Sequence, residues 1–364
     1  MKAGSGLAQG RVAEPGLARE AVRAAMQRAE LEHPQAVLLY LSADFADDPQ
    51  PALTAAARAA GCLQVAGCTA AGVFTEQDWV LDAPAAAALV LGDGVDLRPA
   101  RRGDGDVVAE LTLAAPNALD MAWLATGGRR FGGVSGDATG QGPYSVWSGG
   151  RVRDDGHCEL DLAGASLRVG VSQGVRPLSR PVPVERVQGH DLQALGGIEA
   201  LASLARELPL SLRAPERMPT HLIMAGLPYG EREHAVEEGR FHLLPVVAAN
   251  PADKSVTVAG QLAPGMDLFW ALRQPQAAEH DMDLMLARLA GERADPPAFA
   301  LMFPCMGRGP YFYGGEDRDI LALKRRFPGM PCAGFYGNGE IAHLDGGNRL
   351  LQYSVVLALG DAHV

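Results

Sequence analysis

Residues 331–342 read PCAGFYGNGEIA, with glycines at 334, 337 and 339, the bulky Phe335 and Tyr336 between them, one cysteine and one carboxylate. A turn needs one or two backbone-permissive positions, so this density predicts a backbone that approaches something closely. An apolar run entering such a cluster reads as a buried strand ending in a turn. The signature recurs far upstream. AGCTAAG (66–72) and AGFYGNG (333–339) share A-G-x-x-x-x-G, and LVLGD (89–93) and LALGD (357–361) follow at nearly the same distance. A looser third copy lies between them, in AWLATGG (122–128), RFGGVSGDATG (130–140) and ASLRVGVSQG (165–174). Repetition of this kind implies that similar α/β units are used more than once.

Working outward, the spacing between Leu17 and Glu30 is helical, and AVLLYLSADF (36–45) is a short apolar run bounded by prolines and acids, hence a buried strand. PALTAAARAAG (51–61) predicts a helix with proline in its first turn and glycine at its end. FALMFPCMGRG (299–309) is a strand entering a glycine turn. GGEDRDILALKRRFPGM (314–330) is a helix with acids first and bases last, as the dipole favours, which makes Lys324-Arg325-Arg326 a solvated helix end. NPADKS (250–255) is turn chemistry between two apolar runs, and QAAEHDMDLMLARLAG (276–291) is a helix closed by Gly291. The segment RELPLSLRAPERMPT (206–220) holds three prolines and no sustained period, so a domain boundary is expected there. The expected class is α/β: two related domains, 1–210 and 216–364, each a mixed β-sheet with flanking helices and glycine-rich strand-end turns.

The 364 residues are 48% hydrophobic and 21% charged, an ordinary globular composition with room for a sizeable core. A net charge of −11 disfavours nucleic acid as the main partner, because phosphate contacts need clustered positive charge. Five cysteines, odd in number and without a C-x-x-C pair, signal neither a disulfide framework nor a zinc ribbon. The N-terminus carries glycines and charges where a secretion signal has an apolar core, and the longest apolar runs are too short to span a bilayer. A cytoplasmic protein that does not engage the membrane is the expectation.

The strand-end clusters resemble those of the FIST sensory proteins. FPCMGRG (303–309) looks like that family's Cys-x-x-Arg-Gly strand end, and PCAGFYGNGEIA like its Gly-Phe-Tyr-x-x-Gly-Glu-Ile signature. LYLSADF (39–45), VAGCTAAG (65–72) and FGGVSGDA (131–138) carry the N-terminal resemblance. It spans residues from about 15 to 205, and the C-terminal resemblance about 220 to 361. The resemblance implies a small-ligand sensor, with amino acids as the proposed ligands. In some members it implies a haem-binding nitric oxide sensor that regulates a histidine kinase or a cyclic-di-GMP enzyme. The two matches leave no room for an output domain, so signalling would pass through a separate partner.

The residues themselves suggest where a ligand would sit. Glycine turns at the strand ends of an α/β sheet expose backbone N–H groups, and ligands collect there. Cys305, Arg308 and Gly309 lie at one such end; Gly334, Phe335, Tyr336, Gly337, Gly339 and Glu340 lie at the next, one strand–helix unit on. Arg308 offers a planar fork for a carboxylate and Glu340 a partner for an ammonium group, which suits an amino acid. The plainer alternative pairs Arg308 with Glu340 and puts Phe335 and Tyr336 in the core. Gly67, Cys68, Ser135 and Asp137, with Gly132 and Gly133, form a matching set in the first half. Enzymatic motifs are missing: GVSGD lacks the last glycine of a nucleophile elbow, and there is no G-x-x-x-x-G-K-[ST] or H-E-x-x-H. An enzyme using Cys305 or Glu340 is the alternative in another class. For haem, His234, His242, His280 and His343 are candidate ligands, with His343, just beyond the glycine signature, the first choice.

Overall fold

The chain makes three rounds of one pattern, and the computed structural model describes residues 1–100, 109–291 and 295–362 of it. The first round comprises β1 (Ala3–Gln9), α1 (Pro15–Ala29), β2 (Ala36–Ser42), α2 (Gln50–Ala60), β3 (Val65–Ala70), the hairpin β4 (Gly72–Thr75) and β5 (Trp79–Val80), and β6 (Ala85–Leu91). The second comprises β7 (Asp96–Pro99), β8 (Ala109–Ala114), α3 (Met121–Ala125), β9 (Arg129–Val134), the hairpin β10 (Val146–Ser148) and β11 (Arg151–Val152), and β12 (His157–Ala163).

The third round opens with β13 (Ala165–Ser172) and is then interrupted. The interruption holds β14 (Val175–Pro177), β15 (Val182–Gln188), β16 (Asp191–Leu195), β17 (Ile198–Glu199), α4 (Ala200–Glu207), β18 (Ile223–Pro228), α5 (Arg232–Ala235), β19 (Phe241–Asn250), β20 (Ser255–Val258) and β21 (Asp267–Arg273). The round resumes with α6 (Pro275–Ala290), β22 (Phe299–Pro304), α7 (Pro310–Tyr313), α8 (Arg318–Arg326), β23 (Cys332–Tyr336), the hairpin β24 (Gly339–Leu344) and β25 (Gly347–Leu351), and β26 (Val355–Ala362).

Local chemistry sets these boundaries. Gly61 at φ 63 and Gly291 at φ 56 end α2 and α6 in the left-handed region where glycine carries no Cβ penalty. Asp317 caps α8 by accepting from the Ile320 amide at 2.9 Å. All seven residues of β2 are buried, because it lies between two neighbours in its sheet and under helices on one face.

Three six-stranded sheets share one order: β1-β6-β2-β3-β10-β11, β7-β12-β8-β9-β24-β25 and β13-β26-β22-β23-β4-β5. Each contains one parallel pair, β2–β3, β8–β9 or β22–β23, and antiparallel neighbours elsewhere. The hairpin that follows each glycine strand joins another round's sheet. β4 pairs with β23, β24 with β9, and β10 with β3, so the exchange closes in a ring. One core collects residues from all three sheets around Tyr40, Phe131, Phe303 and Phe335, with ring centroids 5.1–6.4 Å apart. Separate apolar clusters lie under α1 and α2, and under α6 and α8.

Strand exchange explains where the compact units divide. One unit is Met1–Ser172 with Met282–Val364, and the other is Gln173–Asp281. The proline-rich segment 206–220 lies inside the second unit, and residues 1–210 are not a compact body by themselves. They cannot separate from residues 216–364 while β4, β9 and β13 are paired with β23, β24 and β26. In the second unit β21, β15, β16, β20, β19 and β18 pair in succession, and β18 returns to β21. The antiparallel sheet therefore closes into a barrel without a free edge. Its core holds Val184, Leu192, Leu204, Ile223, Val256 and Trp270. The NPADKS turn joins β19 to β20, with Asn250 opposite Ser255. No described helix is long and apolar enough to cross a membrane.

Candidate functional site

The strand-end glycines are filled by protein. A Cβ on Gly67 would lie 1.7 Å from the Leu39 carbonyl oxygen, one on Gly132 2.0 Å from that of Thr112, and one on Gly334 1.9 Å from that of Met302. These are equivalent positions of the three parallel pairs, so one steric demand recurs in each round. Gly337 would meet the Val134 carbonyl at 2.4 Å, Gly339 the Leu350 side chain at 3.0 Å, Gly133 the Phe335 ring at 2.7 Å and Gly309 the Tyr336 ring at 3.1 Å. What this backbone approaches closely is neighbouring strands and rings.

The polar residues of the expected rim are sealed as well. Cys305 and Gly337 do sit side by side in the parallel register that the sequence suggests. Arg308, however, is 1% exposed and pairs with Asp319 through two contacts, Nη2 to Oδ1 at 3.0 Å and Nε to Oδ2 at 3.1 Å. It also donates to the Ser172 carbonyl at 2.9 Å and to Ser172 Oγ at 2.8 Å. Glu340, 0% exposed, accepts from Ser354 Oγ at 2.6 Å and from the Ser354 amide at 3.2 Å. Its Oε1 has no N–H or O–H donor among the described residues. Burial pushes the Glu340 carboxyl up to about 8, against the lowering influence of Ser354, Arg308 and the Cys305 thiol. Tyr336 donates to Asp317 at 2.5 Å, and burial followed by the Asp319 charge pushes Asp317 up to about 7. Phe335 lies in the shared core.

The N-terminal set is equally closed. Cys68 is a core thiol whose pKa burial raises. Ser135 donates to the Thr69 carbonyl at 2.6 Å. Asp137 accepts from the Gly140 amide at 2.6 Å, the Gly142 amide at 3.2 Å and Tyr144 at 3.3 Å, which makes it the clasp of its own loop. His343 stands on the β24–β25 hairpin with Nδ1 3.0 Å from Asn348 Oδ1. The rim is thus corrected to a packed junction: strand exchange brings backbones too close together to leave a hollow.

A hollow does exist in the barrel unit. A cavity of about 970 Å³ is lined by Gln173, Gly174, Val175, Arg176, Pro177, Ser179, Arg180, Pro181, Arg232, Val236, Glu237, Gly239, Phe241, Ala277, His280 and Asp281. That volume is in the range of small-molecule sites, and apolar walls with a few convergent polar groups are their usual make-up. Its edge is pinned by the barrel: β14 and β15 pair with β21, and between them Leu178 donates to the Trp270 carbonyl at 2.7 Å while Ser179 Oγ accepts from the Trp270 amide at 2.9 Å. Gln173, 3% exposed, donates Nε2 to the carbonyls of Gly239 and Phe241 at 3.3 and 2.5 Å. Only the amide nitrogen can donate, so those two carbonyls fix the side chain and leave Oε1 buried without a partner among the described residues. Asp281 accepts from the Gly174 amide at 3.1 Å, and Arg232 pairs with Asp267. Arg176 and Arg180 have no ion-pair partner among the described residues. Of the residues weighed from sequence, only His280 lines this cavity. The signal for the others was QGVRPLSRP (173–181), two arginines each followed by proline, a pattern with no motif to announce it.

By fold and site this is an α/β protein of three interlocked rounds carrying an inserted barrel with a ligand-sized cavity. A model of the FIST N domain matches residues 35–198 and one of the FIST C domain matches 200–343. The chain belongs to the FIST family, whose domains are sensory and bind small ligands. The two models meet at residue 199 inside the barrel unit, so the sequence modules and the compact units cut the chain differently. An uncharacterised protein of Mycobacterium tuberculosis is 28% identical over 257 residues, covering 70% of this chain and 63% of its own length. One of Mycobacterium bovis is 30% identical over 227 residues, covering 59% of this chain and 58% of its own. The chain spans less than two thirds of the length of these relatives.

Proposed function

We propose that this protein is a cytoplasmic small-ligand sensor that takes up an amino acid in the barrel cavity and passes its state to a separate signalling partner, such as a histidine kinase or a cyclic-di-GMP enzyme. The observation that carries the reading is the cavity itself, with a buried Gln173 carbonyl oxygen that has no partner among the described residues, in a wall that also bears arginines and carboxylates. Arg176 or Arg180 suits a ligand carboxylate, and Gln173 Oε1 with Glu237 suits an ammonium group. The five cysteines are free thiols, which suits a reducing cytoplasm. Signalling follows when the ligand binds one conformation more tightly than another.

A thermal-shift screen across the amino acids, followed by calorimetry, tests this. At a hundredfold excess over Kd a ligand adds about 2.7 kcal/mol to stability. Gln173→Leu is expected to abolish that gain and Arg308→Lys to leave it, and a ligand indifferent to every cavity residue would remove the reading.

A second reading is a haem-binding nitric oxide sensor. In its favour, His280 lines the cavity beside Phe241, Val236 and Val175, so an imidazole and apolar walls are both at hand for an axial bond. His343, tied to Asn348 on a hairpin, is the weaker ligand. A Soret band in protein purified with haem supplied, lost in His280→Ala, would favour this reading. An enzymatic role for Cys305 or Glu340 has little support, because both are buried in the packed junction.

A further inference from the structure

We infer that the ligand of the barrel cavity carries two carboxylates, held one each by Arg176 and Arg180; this rests on the proposal that the cavity is the sensory site. The chain as a whole is acidic at −11, yet the cavity wall gathers three arginines and one histidine against two carboxylates. Those charges are not equally available. Arg232 is engaged by Asp267, and Asp281 by the Gly174 amide. Arg176 and Arg180 are exposed cations with no ion-pair partner among the described residues.

Their backbones are held in place before any ligand arrives. β14 carries Arg176 with its Leu272 partner on β21, and Pro177 and Pro181 stiffen the residues that follow each arginine. The Trp270 contacts at Leu178 and Ser179 fix the step between them. Ser179 stands at a bend between the two arginines, which line one wall of the cavity four residues apart. Two guanidinium forks on one cavity wall, neither with a counter-ion among the described residues, suit two carboxylates on one molecule. Gln173, in the same cavity wall, keeps its Oε1 buried without a donor among the described residues, which calls for an N–H or O–H on the same ligand. Two sources share this chemistry: aliphatic dicarboxylic acids, and amino acids with an acidic side chain.

Calorimetry on the full chain at low salt separates them, with glutarate, adipate, glutamate and aspartate as probes and butyrate, leucine and inorganic phosphate as controls. The expected result is binding by at least one dicarboxylate, with butyrate weaker by about tenfold or more, because one charge-assisted contact is lost. Arg176→Ala and Arg180→Ala should each weaken the dicarboxylate by a similar factor and leave butyrate closer to its own level, with Arg180→Lys partly restoring binding. Preference for glutamate or aspartate over glutarate that is lost in Gln173→Leu identifies the amino-acid source; the reverse preference identifies the simple diacid. Binding of leucine or butyrate as tightly as any dicarboxylate, or dicarboxylate binding unchanged in both arginine variants, overturns the inference. Leucine binding that depends on Gln173 would overturn it while leaving the sensor reading intact. Silence of every probe in both wild type and variants overturns it as well.

Discussion

The packed strand ends of the three-round unit and the cavity of the barrel unit use the same residue types to opposite ends. At the junction, glycine removes volume so that neighbouring strands can touch: Cβ atoms at 67, 132 and 334 would stand within 2.0 Å of a facing carbonyl oxygen. In the barrel, prolines hold a segment open beside a hollow of about 970 Å³. At the junction Arg308 is surrounded by Asp319, Ser172 and Tyr313, whereas in the barrel Arg176 and Arg180 have no counter-ion among the described residues. An arginine that has found its carboxylate holds a fold together, and one left without a carboxylate is available to a ligand. Glycine density marks close backbone approach without saying what approaches.

The sharpest way to break this comparison is to add volume at the junction. Gly334→Val should unfold the protein or cost about 3 kcal/mol or more in a denaturant melt, since its Cβ has no free space between the Met302 carbonyl and the Phe74 ring. A tolerated valine would reopen the question of a hollow there. Next, Arg308→Ala should cost about 3–5 kcal/mol by leaving Asp319 buried without its partner, whereas Arg180→Ala should change stability by only about 0.5 kcal/mol. Equal costs in chemical denaturation would erase the distinction between the two arginines.

A smaller effect sharpens the comparison through pH. Glu340 and Asp317 have folded pKa values raised above their unfolded values of 4.5 and 3.8, to about 8 and about 7. Their contribution to stability is therefore full below about pH 4 and is lost as pH rises through 7 to 8, with a slope of at most about 1.4 kcal/mol per pH unit for each group. Glu340→Gln should flatten the stability profile between pH 5 and 8, roughly the upper part of that window. An unchanged profile would mean that Glu340 is not held neutral by burial. The smallest change expected is in Lys324→Gln with Arg325→Gln, on the exposed end of α8: stability within about 0.5 kcal/mol and ligand binding unaffected.

Much of the architecture is legible in the sequence because it is written locally. The A-G-x-x-x-x-G strands, the helix stops at Gly61 and Gly291, the acid-first, base-last helix before Phe327 and the NPADKS hairpin all follow from neighbours in the chain. The third copy, RFGGVSGDATG, is a true round in which β8 and β9 pair as β2 and β3 do. What the sequence hides is long-range. Nothing near residue 72 says that β4 will pair with β23, yet that exchange makes residues 1–172 and 282–364 one body. It also closes the rim that Arg308 and Glu340 were expected to line. The Asp319 partner of Arg308 lies eleven residues on, within a run already explained by the helix dipole, so its second role as counter-ion left no mark. The cavity was invisible for a related reason. Gln173 matters because two carbonyls, at Gly239 and Phe241, orient its amide and strand its oxygen, and both stand more than sixty residues downstream.

The most direct test of the account is hydrogen exchange with and without whichever amino acid or dicarboxylate gives the largest thermal shift. The account predicts new amide protection across residues 173–181 and 236–241, with residues 332–340 already protected in the free protein and unchanged on binding. Ligand-dependent protection concentrated at 332–340, with 173–181 unmoved, would contradict it.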